Sequence, residues 1–184
     1  MFEVLNPNQQ TIILNANSRI SDSGLFSRQA IHLYRGAALN GRLRWMWSRL
    51  SGRSNLLLDL NSLLAKIKVR SSHYAGIQAV AINKIIGSEG RVSDFDSSFN
   101  PLNEKTSQRW MSVANARLNG TPLPAVELIQ MGDVYFVRDG HHRISVAKAL
   151  GEGAIDAQVT VWNTSGLLPW QISSRADRLG LQAI

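Results

Sequence analysis

The densest chemistry in this sequence is five residues long: Asp139-Gly140-His141-His142-Arg143. Before it stands a β-branched and aromatic run, Val134-Tyr135-Phe136-Val137. After it come Ile144, Ala147 and Leu150 at helical spacing, with Gly151 where a helix would end. The pattern predicts strand, tight turn, helix. It puts three potential cations into the first turn of a helix, the end where the backbone dipole and unpaired N–H groups favour negative charge. A bound phosphate resolves the conflict, because it accepts the backbone N–H groups and an arginine fork together. Gly140 permits the sharp turn and a close ligand approach. Asp139 has three open roles: capping the helix, orienting a histidine, or holding a phosphate-bound metal. Two plainer readings stand beside the anion site. The histidines can simply be hydrogen-bonded at a loop–helix junction. A zinc site is disfavoured, because adjacent histidines on a helix lie about 100° apart and His32 and His73 belong to another segment.

The elements that must position this turn are legible on either side of it. Ala125–Met131 and Val134–Val137, joined by Gly132-Asp133, read as an antiparallel hairpin. Ile155–Trp162 alternates as a last strand. Upstream, Ile77–Ile82 alternates as a strand, and Ile85-Ile86 runs into the loop Gly87-Ser88-Glu89-Gly90-Arg91, followed by Asp94-Phe95-Asp96. Asn103 is placed to cap a helix over Glu104–Leu118, with Trp110, Val113, Ala114 and Leu118 inward and Asn119-Gly120 ending it. Arg109, Arg117 and Lys148 read as solvated helix faces. Nearer the start, residues 1–24 are polar and read as loosely ordered, with a short strand at Thr11–Leu14. Leu25–Arg49 reads as helix in two pieces, broken near Asn40-Gly41. Phe26, Ala30, Leu33, Tyr34, Ala37 and Ala38 form one apolar face, and Leu43, Met46, Trp47 and Leu50 a second. Leu56–Lys68 reads as a further helix, and Ser71–Gly76 as a hinge. These readings divide the chain into a loosely ordered N-terminus (1–24), a basic amphipathic helical arm (25–76), an α+β domain (77–162) and a tail (163–184), in which Trp170, Ile172, Leu179 and Leu181 dock back.

Charge separates the same segments. The formal net charge is +7, yet from Arg19 to Arg70 ten Lys/Arg face only Asp22 and Asp59, while from Ser71 onward basic and acidic residues balance. An excess confined to one arm points to an anionic partner, either DNA or another polyanion through residues 28–53, or a membrane surface met by Trp45, Trp47 and their arginine neighbours. A helical arm packed on its own domain with solvated arginines is the plainer reading. The chain has no cysteine, which excludes disulfides, thiol catalysis and cysteine-based zinc sites. Its start lacks the basic and apolar regions of a signal peptide, and no apolar run approaches the roughly 18 residues needed to cross a bilayer. A cytoplasmic protein is expected.

With the turn and its flanking elements in view, the stretch from about Ile77 to Trp162 resembles the ParB N-terminal/sulfiredoxin superfamily. The likeness rests on Asp139-Gly140-His141-His142-Arg143, the helix ending in Ala149-Leu150-Gly151, and the order strand, Gly-Ser-Glu-Gly-Arg loop, helix, Leu-Pro-x-Val strand, hairpin, basic turn, helix, strand. It covers under half of the chain. The resemblance implies a small mixed sheet with helices and a basic turn that binds nucleotide phosphates. Members of the superfamily include CTP-binding partition proteins, sulfinic-acid reductases, free-serine kinases using ADP or ATP, and plasmid proteins with ATPase and nuclease activity. Sulfiredoxins carry a cysteine where His141 stands, so reductase chemistry is excluded. Partition proteins carry Gly-Glu-Arg-Arg and a further basic residue; here His141 and His142 replace the middle pair and Ser145 the last. The 22 residues after Trp162 are too few for a helix-turn-helix domain of the partition type.

The expectation that follows is a protein that binds ATP, ADP or CTP with Mg²⁺, and that hydrolyses or transfers a phosphoryl group. A non-catalytic, nucleotide-responsive DNA-associated protein and a nuclease are the alternatives, and a homodimer is an expected assembly. In that scheme Gly140, His141, His142 and Arg143 cradle phosphates with Asp139 beside them. Arg91 adds charge from the facing loop. Glu89, matched loosely to a glutamate of the kinase-like members, serves as general base, unless it is only a surface partner of Arg91. Asp94 or Asp96 holds the metal, unless both serve turn chemistry. His142 donates a hydrogen bond to developing charge. Arg143 is expected to matter far more to nucleotide affinity than to the fold.

Overall fold

The computed structural model describes residues 7–52, 54–166 and 168–170, with side chains from residue 28 onward. In chain order the elements are α1 (Pro7–Ser51), β1 (Leu58–Asp59), α2 (Leu60–Leu64), β2 (Val69–Ala81), β3 (Ile85–Ser88), α3 (Ser107–Leu118), β4 (Val126–Met131), β5 (Val134–Asp139), α4 (His141–Ala149) and β6 (Ala154–Thr164). The strands form one mixed six-stranded sheet in the order β1-β3-β5-β4-β6-β2. β3 and β5 run parallel, β4 pairs antiparallel with β5 and parallel with β6, and β6 pairs antiparallel with β2. The chain is therefore an α+β protein.

Alternation along β4 and β5 sorts the core onto two faces. Val126, Leu128 and Val137 point to one side, where Trp110 and Ala114 of α3, Ile144 and Ala147 of α4, and Phe95 and Phe99 of the preceding loop close over them. Ile129, Met131 and Phe136 point to the other, covered by Leu60 of α2 and by Leu168, Trp162 and Trp170. The Phe136 and Trp170 rings lie 5.7 Å apart, so the tail does dock back at this residue; Ile172, Leu179 and Leu181 lie outside the described residues. The hairpin, the turn, α4 and β6 all stand where the sequence predicts them. Asn103 accepts the N–H of Lys105 and caps a short 3-10 turn (Glu104–Thr106) that feeds α3.

Four local expectations change. Thr11–Leu14 is helix, part of α1; without a partner strand a three-residue β-branched run does not hold an extended backbone. α1 also passes unbroken through Asn40-Gly41. A glycine there costs about 1 kcal/mol in propensity, but it seats the helix against the loop before α3: a Cβ at Gly41 would stand 3.0 Å from the Pro101 carbonyl oxygen and 3.2 Å from Asn100 Cβ. Leu56–Lys68 is not one helix. Asp59 ends β1 and starts the short α2 by accepting the N–H groups of Asn61 and Ser62. Ser71–Gly76, read as a hinge, is strand. β2 runs through residue 76 and pairs with β6 on both sides of it, bulging between Tyr74 and Ile77.

Candidate functional site

The turn after β5 is built around one backbone geometry. Gly140 has φ 100° and ψ 19°. A Cβ there would meet Val126 Cγ1 at 2.5 Å, so both the conformation and the space demand glycine. No side chain at the N-cap satisfies the helix. The first backbone bond of α4 is Ile144 N–H to the Gly140 carbonyl, so the N–H groups of His141, His142 and Arg143 precede the hydrogen-bond ladder.

The three potential cations do not behave as three charges. His141 and His142 are almost wholly buried, and both contact Phe95. His141 stacks on that ring at 6.0 Å, and His142 meets it edge-on at 5.4 Å. Burial pushes the His141 imidazole down to about 4, aided by Arg91 and His142. Burial likewise pushes His142 down to about 4, with Arg109 and Arg91 adding to it. Both rings are therefore neutral near pH 7. Ser88 fixes the tautomer of the first. Its Oγ accepts the N–H groups of Gly90 (3.2 Å) and Arg91 (3.1 Å), so its own hydrogen goes to His141 Nε2 at 2.6 Å. Assigned from this network, the ring proton of His141 sits on Nδ1.

Arg143 is held by the protein. Nη1 donates to the carbonyls of Pro124 (2.5 Å) and Ala125 (2.9 Å), and Nη2 to Asp139 Oδ2 (2.5 Å). Asp139 thus neither caps α4 nor orients a histidine; it partners Arg143. The overcharge inferred from sequence is relieved largely from within, by two neutral rings and one ion pair.

What remains is a cavity of about 370 Å³ lined by Arg91, Arg109, Asp139, Gly140, His141, His142 and Arg143, with an apolar wall of Val113, Leu123 and Pro124. Arg91 makes only a long contact of 3.4 Å to Asp94. Arg109, read from sequence as a solvated helix face, reaches the cavity because Trp110 Nε1 donates to Ser145 Oγ (2.8 Å) and fixes α3 against α4. His142 Nε2 is sealed from solvent and has no hydrogen-bond partner. A buried polar atom in that state costs roughly 1–3 kcal/mol, and native sites carry few of them.

The other expected site residues fall elsewhere. Glu89 does not line this cavity. Its carboxylate pairs with Arg138 at 2.9 Å, and Arg138 in turn lies 5.7 Å from the Trp162 ring on the opposite face of the sheet. Phe95 is the buried anchor of Asp94-Phe95-Asp96, and its neighbours serve the loop. Asp94 accepts from Asn103 Nδ2 (3.2 Å) and faces Arg91. Asp96 is fully buried and accepts the N–H groups of Ser98 and Asn100, each at 2.8 Å, and Asn100 Nδ2 at 3.0 Å; Arg44 Nε stands 3.3 Å away. A carboxylate so fully engaged has no oxygen left for a resident Mg²⁺, and no group of three or more His, Cys, Asp or Glu gathers among the described residues. Asp96 therefore does not fit the expected metal site. Lys148 lines a second cavity, of about 430 Å³, between α1 and α4. Ser88 and Arg109 are the site residues that sequence reasoning missed. Ser88 stood inside the quoted Gly-Ser-Glu-Gly-Arg loop, and Arg109 lies one turn before Val113 on α3.

Fold and site together define an α+β protein with a cationic, histidine-lined cavity at the amino end of a helix. No protein-family model matches the chain, and no curated protein matches it. Among solved structures, sulfiredoxin from Arabidopsis thaliana is similar over 45% of this chain and 82% of that chain, at 16% identity and a TM-score of 0.35. Among the described residues no helix is long and apolar enough to cross a membrane.

Proposed function

We propose that the cavity binds the phosphate group of a small ligand, a nucleotide being the class that fits best. One observation carries this reading: Arg91 and Arg109 converge on the same cavity as the turn that starts α4, where His142 keeps a ring nitrogen without a hydrogen-bond partner. A phosphate oxygen accepts from an imidazole N–H, from backbone N–H groups and from guanidinium at once. The ligand then rests on Arg91, Arg109, His142 and the turn backbone, while Arg143 and Asp139 hold the turn in shape. The apolar wall of Val113, Leu123 and Pro124 offers a surface to the base or another organic part of the ligand.

Phosphoryl hydrolysis or transfer is the second reading, and the neutral state of His142 favours it. An imidazole N–H donor stabilises charge that develops on a phosphoryl oxygen without first losing a proton. Glu89 enters this reading as a base only if its pair with Arg138 opens.

Calorimetry with ATP, ADP, CTP and inorganic phosphate tests binding, and release of phosphate tests turnover. Arg109→Ala and His142→Leu are each expected to weaken nucleotide binding by about tenfold or more. The second variant is also expected to melt no lower than the parent, because it removes an unsatisfied buried atom. Unchanged affinity in both variants, or no uptake of any of these ligands, contradicts the reading.

A further inference from the structure

The first helix is apolar on two sides. Its docked side packs Leu33 and Tyr34 on the core between the buried Ala30 and Ala37, and Gly41 sits against the loop before α3. Tyr34 adds an edge-on contact to Trp110 at 5.5 Å. On the opposite side, at the helical spacing 39, 43, 46, 47 and 50, stand Leu39, Leu43, Met46, Trp47 and Leu50, all exposed; Trp47 is 70% and Leu50 80% accessible. An ordinary surface helix carries its larger apolar residues inward. Here a second set of large apolar residues faces out, over a stripe about 17 Å long, a contiguous patch of the kind that marks an interaction surface.

Beside the stripe runs a row of arginines at a fixed interval of seven: Arg28, Arg35, Arg42 and Arg49, all exposed. Arg42 also reaches Glu104, and Arg49 lies over the Trp45 ring at 4.7 Å. A seven-residue step drifts only about 20° around a helix, so the row keeps to one side of α1: Arg42 and Arg49 flank the apolar stripe, and Arg28 and Arg35 continue the row before it. Asp22 is the only acidic residue in the sequence of α1. A second copy of this helix would therefore bring arginine against arginine with no carboxylate opposite, and nucleic acid would leave the apolar stripe without a partner.

We propose that α1 lies on an anionic phospholipid surface. The leucines, Met46 and Trp47 enter the acyl boundary, and the arginine row meets the headgroups. The helix lies in the interface and does not span it; among the described residues no helix is long and apolar enough to cross.

Full-length chain is mixed with phosphatidylcholine vesicles and with phosphatidylglycerol-containing vesicles, then sedimented. We expect binding to the anionic vesicles alone, weakening as salt rises. Two double variants, Leu43→Ser with Leu50→Ser and Arg35→Gln with Arg49→Gln, should each weaken it by about tenfold or more. Their melting temperatures should match the parent, since all four side chains are exposed. Three results would overturn the proposal. One is the absence of binding to anionic vesicles. Another is full binding by the leucine variant, which would mark a plain polyanion surface of the kind nucleic acid uses. The last is a dimer in solution that the leucine variant dissociates, which would assign the stripe to a second copy.

Discussion

Arg143 shows how one side chain changes role between sequence and structure. Its position after two histidines suggests a phosphate fork, but its guanidinium bonds the carbonyls of Pro124 and Ala125, 19 and 18 residues earlier, and Asp139. That loop carries no local sign of the contact, so the role is invisible in the sequence. Arg143→Ala should cost about 1–2 kcal/mol of stability, because it strips donors from two carbonyls, while the lost pair with the exposed Asp139 adds little; chemical denaturation against the parent measures it. A loss below about 0.5 kcal/mol would mean the arginine is not structural. The histidines carry a pH signature. Unfolded imidazoles protonate near 6.5 and the folded ones not until about 4. Between those values the unfolded chain binds more protons, so the stabilisation is complete above about 6.5 and is lost as pH falls toward 4. Denaturation midpoints across that window should drop, and His142→Leu should flatten part of the slope. An equally steep fall in the variant would move the effect to other groups.

At the scale of elements, local signals were the legible ones. The β4–β5 hairpin, the glycine turn into α4 and the alternation of β6 each arise within a few residues and stand as predicted, and Asn103 caps the 3-10 turn that leads into α3 rather than α3 itself. What was not legible depends on distant partners. β2 persists through 71–76 because β6, some ninety residues later, pairs with it. α1 stays whole at Gly41 because the 100–102 loop packs there. Half of the candidate site was readable, the turn and Arg91; Ser88 and Arg109 needed the packing of β3 and α3 against α4 to become visible. Gly41→Leu tests the docking of α1 directly. The added side chain has no room at Pro101, so stability should fall by about 1–3 kcal/mol. Amide exchange should rise in 28–41 and 100–118 while β4 and β5 stay protected. Uniform protection throughout would show that the helix does not depend on that close approach.

For the molecule as a whole, the two charged features sit apart and ask for different partners. The cavity is a small site whose arginines come from the loop after β3, from α3 and from α4; the arginine row is an open surface on one helix. The row holds four of the ten Lys/Arg between Arg19 and Arg70, and the ligand proposed above would meet the cavity. The cavity carries the central claim, and His142 is its most direct reporter. Long-range nitrogen–proton spectra of the imidazoles, followed as ATP or pyrophosphate is titrated in, resolve each histidine. The account predicts a saturable shift of the His142 Nε2 resonance, with His141 remaining in its Nδ1–H form. A His142 signal that does not move at saturating ligand would contradict it.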